Sequence, residues 1–144
     1  MKKILSFLLW SVMSSSMAAT TMQVFVSFSM PEVLLRQTLM ESAQLHIPAI
    51  LNGLYHNSMP ETTAKIATLV QDVPQLNLQI DPTAFERFGI HQVPALVVST
   101  DKGFDVLYGN LSLKAGLYRL ADNSKSHLHQ SGVTHADVRR YVGE

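Results

Sequence analysis

Apolar residues recur along this chain with alternating strand and helix periods. Residues 22–28 form an apolar run of strand length, and within residues 29–46 Leu35, Leu39 and Ala43 fall at i, i+4 and i+8, with Leu34, Thr38 and Leu45 flanking that stripe. The run predicts a strand and the stripe an amphipathic helix. Residues 49–54 make a second short apolar strand. After a connection over residues 55–57, Ile66, Leu69, Val70 and Val73 carry a helical period through residues 58–73. A β-α-β-α order predicts parallel strands joined by right-handed crossovers.

The second half changes character. Residues 76–80 alternate as a strand, and Asp81-Pro82 opens a short helix in which Phe85 and Phe88 share a face and Gly89 supplies the stop. Residues 95–100 and 104–108 are joined by Asp101-Lys102-Gly103, a turn suited to an antiparallel hairpin. A helix over residues 113–120 closes the pattern, which predicts an α/β fold with a mixed sheet flanked by helices.

Residues 1–19 are of a different kind. Lys2 and Lys3 precede an apolar stretch over residues 4–13, and Ser16-Met17-Ala18-Ala19 offers the small residues that signal peptidase requires. The stretch is shorter than the roughly 18–20 residues that span a bilayer. The expectation is a signal peptide cut after Ala18, an exported protein, and no stable membrane span after cleavage. Cleavage takes Lys2 and Lys3 and leaves nine basic against eleven acidic side chains, a formal charge of −2. That balance argues against a nucleic-acid binder, which needs a basic stripe to displace counterions. One domain over residues 20–121 and a polar tail over residues 122–144 follow.

The tail carries Asp122-Asn123-Ser124, His127-Leu128-His129, His135 and a candidate helix over residues 134–141. Histidines at i and i+2 converge only on an extended strand, and a metal site needs three or four converging ligands. The tail therefore reads as a solvated connector, with no metal or cofactor expected. Val138 and Tyr141, at i and i+3, form an apolar pair able to dock on a partner or on the domain.

Two segments about sixty residues apart carry the remaining signal: Phe28-Ser29-Met30-Pro31-Glu32 after the first strand, and Ile90-His91-Gln92-Val93-Pro94 before a later one. They resemble, in placement, the redox tetrapeptide and proline loop of a thioredoxin-like domain. This chain has no cysteine, however, and thiol–disulfide exchange needs a thiolate to form its mixed disulfide. Ser29 and Glu32 instead read as a capping box at a helix start, with Phe28 and Val33 at the hydrophobic-staple positions. Ser58 and Glu61, in Ser58-Met59-Pro60-Glu61, repeat the same helix-cap pattern. Ser29 with His91 is the one nucleophile–base pair the frame suggests, and no orienting acid or oxyanion site accompanies it, so no enzyme is expected. His46 and His56 read as helix-end and loop residues. The resemblance to the thioredoxin proline loop implies a cis Pro94.

A closer resemblance rests on an ordered set of segments. Val26-Ser27-Phe28-Ser29-Met30-Pro31, Asn52-Gly53-Leu54, Ile80-Asp81-Pro82, residues 90–94 and Tyr108-Gly109-Asn110-Leu111-Ser112 are similar to the TrbC family of F-type conjugative pilus assembly proteins. The similarity covers roughly residues 22–121 and departs at Asn52, where the family often has arginine, and after Leu120, where the chain is short and polar. It implies a periplasmic component of an F-type type IV secretion system that assembles the pilus with a TraW-type protein and other pilus assembly proteins. The expectation is a non-catalytic, cysteine-free thioredoxin-like scaffold whose partner-binding face gathers Phe28, Ser29, Met30, Val93 and Pro94, with Met30 exposed. The alternative is a chaperone that grips extended, pilin-like polypeptide at the proline loop.

Overall fold

The computed structural model describes residues 19–110, 112–123 and 130–143. The leader over residues 1–18 and the His127-Leu128-His129 segment lie outside the described residues. Among the described residues, five strands and five helices follow one another: β1 (Thr21–Val26), α1 (Glu32–Gln44), β2 (Ala49–Leu51), α2 (Met59–Asp72), β3 (Leu78–Ile80), α3 (Pro82–Arg87), β4 (Ala95–Ser99), β5 (Phe104–Tyr108), α4 (Leu113–Asn123) and α5 (His135–Val142), with a 3₁₀ turn over Tyr55–Asn57. The sheet order is β3-β2-β1-β4-β5. β1 pairs parallel with β2 and β2 with β3, whereas β4 pairs antiparallel with both β1 and β5. This is a thioredoxin-like mixed sheet flanked by helices and lacking the redox cysteines.

The period of two along each strand divides the interior. Met22, Val24 and Val26 face the larger core, where Leu35 and Leu39 of α1, Leu69 of α2, Leu117 and Leu120 of α4 and Val138 of α5 meet. Phe25, Ile50, Ala95 and Val97 face the other side, covered by Ala84 and Phe85 of α3. There Phe85 and Phe88 pack edge-on to the Phe25 ring, at 4.9 and 5.8 Å between centroids.

Element ends follow local chemistry. α1 closes in a two-bond terminal turn, with Ile47 N–H donating to Ser42 O at 2.9 Å and His46 N–H to Ala43 O at 3.2 Å; His46 takes the left-handed position, φ 54°, where glycine is usual. β2 stops at Leu51 rather than at residue 54, because Gly53 turns the chain with φ 77°. No helix among the described residues is long and apolar enough to cross a membrane.

The end of the tail belongs to the packed domain. Gln130 and Ser131 N–H donate to the two carboxylate oxygens of Asp105 at 3.0 and 3.1 Å, the Ser131 hydroxyl also meets that carboxylate, and Thr100 Oγ1 donates to Ser131 O at 2.6 Å. Beyond this clamp Val133 and Val138 are fully buried. Thr134 and Asp137 form the capping box of α5, and Tyr141 Oη donates to Thr20 O at 3.0 Å. His135 Nε2 lies 2.7 Å from Asp122 Oδ1, tying α5 to α4. A solvated connector is thus not what residues 130–143 form: Val133 and Val138 supply the apolar area that holds them down.

Candidate functional site at the proline loop

The site begins where β1 stops at Val26. Residues 27–30 turn, with Met30 N–H donating to Ser27 O at 3.1 Å and Ser29 N–H to Ser27 Oγ at 3.2 Å. The Ser27 and Ser29 hydroxyls are 2.9 Å apart.

This turn corrects three expectations. Ser29 and Glu32 do not form a capping box: the cap residue of α1 is Pro31, with no side-chain cap bond. Met30 is not exposed but 7% accessible, part of the larger core. With Met30 buried, the cap position lies two residues beyond Ser29, at Pro31, and the Ser29 hydroxyl makes no cap bond to α1. Glu32 therefore turns to Arg36, whose Nε and Nη2 donate to its carboxylate at 3.3 and 3.1 Å, and to Lys65 Nζ at 3.5 Å. Arg36 also pairs with Asp72. The hydrogen bond from Arg36 and the charge of Lys65 hold the Glu32 carboxyl below its usual range. The hydrophobic staple is absent as well, since Val33 is 80% exposed, and Phe28 packs edge-on to Tyr55 at 5.3 Å.

At the second copy of the tetrapeptide, Ser58 is the N-cap of α2 and accepts from Glu61 N–H at 3.4 Å. The return bond is missing. Glu61 Oε2 instead meets His56 Nδ1 at 2.8 Å, and Ser58 N–H donates to Tyr55 O at 3.0 Å.

The proline loop arrives from α3. Ile90 N–H donates to Phe85 O at 2.8 Å, anchoring the loop to the helix. His91 Nδ1 lies 3.1 Å from Gly89 O and 3.3 Å from Tyr108 Oη, and Tyr108 Oη also donates to Gly89 O at 3.1 Å. The Val93–Pro94 peptide is cis. Val93, in the loop just before Pro94, makes no main-chain hydrogen bond among the described residues.

Turn and loop enclose an open cavity of about 160 Å³ at the C-terminal end of β1. Phe85, Ile90 and Val93 contribute its apolar surface; Ser27, Ser29, Asn52, His91 and Gln92 contribute its polar one. Of the residues expected at a binding face, Ser29 and Val93 meet here. Phe28 is half-buried against the core, and Pro94 lines a separate space of about 20 Å³ with Thr38, Glu41 and Gly116. Asn52 and Gln92 were not foreseen. The signal for Asn52 was its place just past a parallel strand, where open α/β sheets hold their ligands.

The cavity offers hydrogen-bonding side chains beside apolar ones. Ser29 and His91 share the cavity, yet the Ser29 hydroxyl is engaged with Ser27 and His91 Nδ1 with Gly89 and Tyr108. No carboxylate lines the cavity to orient a histidine base. Among the described residues no group of three histidine, aspartate or glutamate side chains could hold a metal ion.

Comparison with known proteins adds the following. Residues 24–120 match the family model described as type-F conjugative transfer system pilin assembly protein. The chain is 42% identical over 97 residues to the periplasmic protein TrbC of Escherichia coli (strain K12), an alignment covering 67% of this chain and 46% of that protein. The chain thus spans about half the length of the curated relative it matches. No solved structure matches.

Proposed function

Because the chain belongs to the family of type-F conjugative transfer system pilin assembly proteins, we propose that it is a non-catalytic periplasmic assembly factor of the F-type conjugative pilus, acting by binding a TraW-type protein. The binding face in this reading is the turn after β1 together with the proline loop. The observation that carries it is the cavity between them: open and flanked by unpaired main chain at Val93, without a thiolate, an orienting acid or a metal cluster among the described residues. A redox frame so altered retains recognition and loses the means of exchange. Periplasmic location rests on the tripartite leader and on the location named for the relative. N-terminal sequencing of protein from the periplasmic fraction tests it, with Ala19 or Thr20 expected as the first residue.

Partner binding is tested by titrating a TraW-type protein against the Gln92→Arg variant and against Ala67→Arg, a change on the exposed side of α2. Gln92→Arg is expected to weaken binding at least about tenfold with an unaltered melting temperature, and Ala67→Arg to leave it unchanged. Equal binding by both would move the contact off this face. The unpaired Val93 main chain also favours a second reading, a chaperone for extended pilin-like polypeptide. A stable one-to-one complex supports the assembly factor, whereas weak binding to many unfolded peptides supports the chaperone.

A further inference from the structure

The cavity at the proline loop is walled entirely by uncharged side chains apart from His91, and its polar and apolar parts lie on different residues. We infer that it receives one uncharged side chain, aliphatic or amide, presented by an extended segment of the protein partner; the inference rests on the proposed binding face and specifies what that face accepts. A volume of about 160 Å³ holds a single medium-sized side chain rather than a helix or a cofactor.

Charge decides the class. A lysine, arginine, aspartate or glutamate entering here gives up part of its hydration to neutral groups and finds no lysine, arginine or carboxylate in the lining to pair with, which is unfavourable. Of the His91 ring, Nδ1 is engaged by Gly89 O and the Tyr108 hydroxyl, which leaves Nε2 as one further hydrogen-bonding group for a neutral polar tip. The carboxamides of Asn52 and Gln92 each carry both donors and an acceptor, so the pair can satisfy a neutral polar tip of either sense, while Phe85 and Ile90 suit an apolar stem. Val93 explains why the segment is extended. Val93 lines the cavity, and its N–H and C=O are unpaired within the described main chain, so an incoming strand can pair its backbone with this residue while inserting one side chain.

The test uses the full chain and extended octapeptides that differ only at one central position, Leu, Gln, Lys or Glu, titrated by fluorescence anisotropy. The Leu or Gln peptides are expected to bind at least about tenfold more tightly than the Lys and Glu peptides. Asn52→Asp, which places a carboxylate at this exposed position, is expected to reverse the order in favour of Lys. Equal binding of all four peptides, tightest binding of a charged one by the unaltered chain, or no binding at all overturns the inference. The two levels separate cleanly: a TraW-type protein that loses binding to Gln92→Arg but binds Asn52→Asp unchanged supports the face and rejects the occupant.

Discussion

Ser-Met-Pro-Glu occurs twice in this chain, at residues 29–32 and 58–61, each time before a helix, and the two copies fold differently. In the second, Ser58 caps α2 and Met59 is 56% exposed. In the first, Met30 is drawn into the core, Pro31 becomes the cap residue, and Ser29 is left outside the helix with its hydroxyl on Ser27. The glutamates diverge accordingly, Glu32 onto Arg36 and Lys65, Glu61 onto His56. A cap contributes about 1 kcal/mol, whereas burying a methionine side chain contributes about 1.5–3 kcal/mol. Where capping and burial compete, burial sets the path of the backbone. The serine that loses its capping role is left to line the cavity at the proline loop.

The largest expected effect separates the methionines. Met30→Ala should cost about 2–5 kcal/mol, because it opens a cavity among buried side chains. Met59→Ala should stay within about 0.5 kcal/mol, since an exposed side chain has little packing to lose. Equilibrium urea denaturation measures both. Similar costs at the two sites would mean that burial of Met30 does not set the path of the first turn.

The same competition marks what could be read from the chain before its structure. Periodicity placed every strand and helix of the sheet, residues 104–108 without error, because each of those runs agrees with the local preference of its backbone. The site was legible in part. The positions of Ser29 and Val93 follow from spacing, but the burial of Met30 depends on residues far along the chain, among them Leu69 and Leu117 in the same core. Asn52 and Gln92 meet at the cavity only because the fold brings the end of β2 and the proline loop together, which no local pattern encodes. The docking of residues 130–143 was hidden because Asp105, a carboxylate inside an apolar strand, gives no indication of which amides will satisfy it; a buried acid demands partners without naming them.

A smaller difference should separate the serines. Ser58→Ala removes the acceptor of Glu61 N–H at a helix start and should lower stability by about 0.5–1 kcal/mol, toward the weak end of the capping range because that bond is 3.4 Å long. Ser29→Ala removes no cap bond and should shift stability by less than about 0.5 kcal/mol. Under the proposed binding face its effect falls on partner affinity instead. Thermal melts of the two variants check the ordering, and a larger loss for Ser29→Ala would restore it as the cap of α1.

The smallest effect concerns the first glutamate and depends on pH. Arg36, then Lys65, depress the Glu32 carboxyl below its ordinary value, so the native state favours the ionised form more than the unfolded chain does. Stability from this source is present above the unfolded pKa of about 4.3 and is lost as pH falls through the lower folded value. The melting temperature of the natural chain should therefore fall more steeply below about pH 4.5 than that of Glu32→Gln, in which the titrating group is gone. Because Glu32, Arg36 and Asp72 are well exposed, salt should screen the interaction, and the gap between the two proteins near neutral pH should narrow in roughly 1 M sodium chloride. Parallel melting curves across acid pH would show that the Glu32–Arg36–Lys65 contacts add nothing to the native state, leaving the start of α1 to apolar burial, that of Met30 and Leu35 among it.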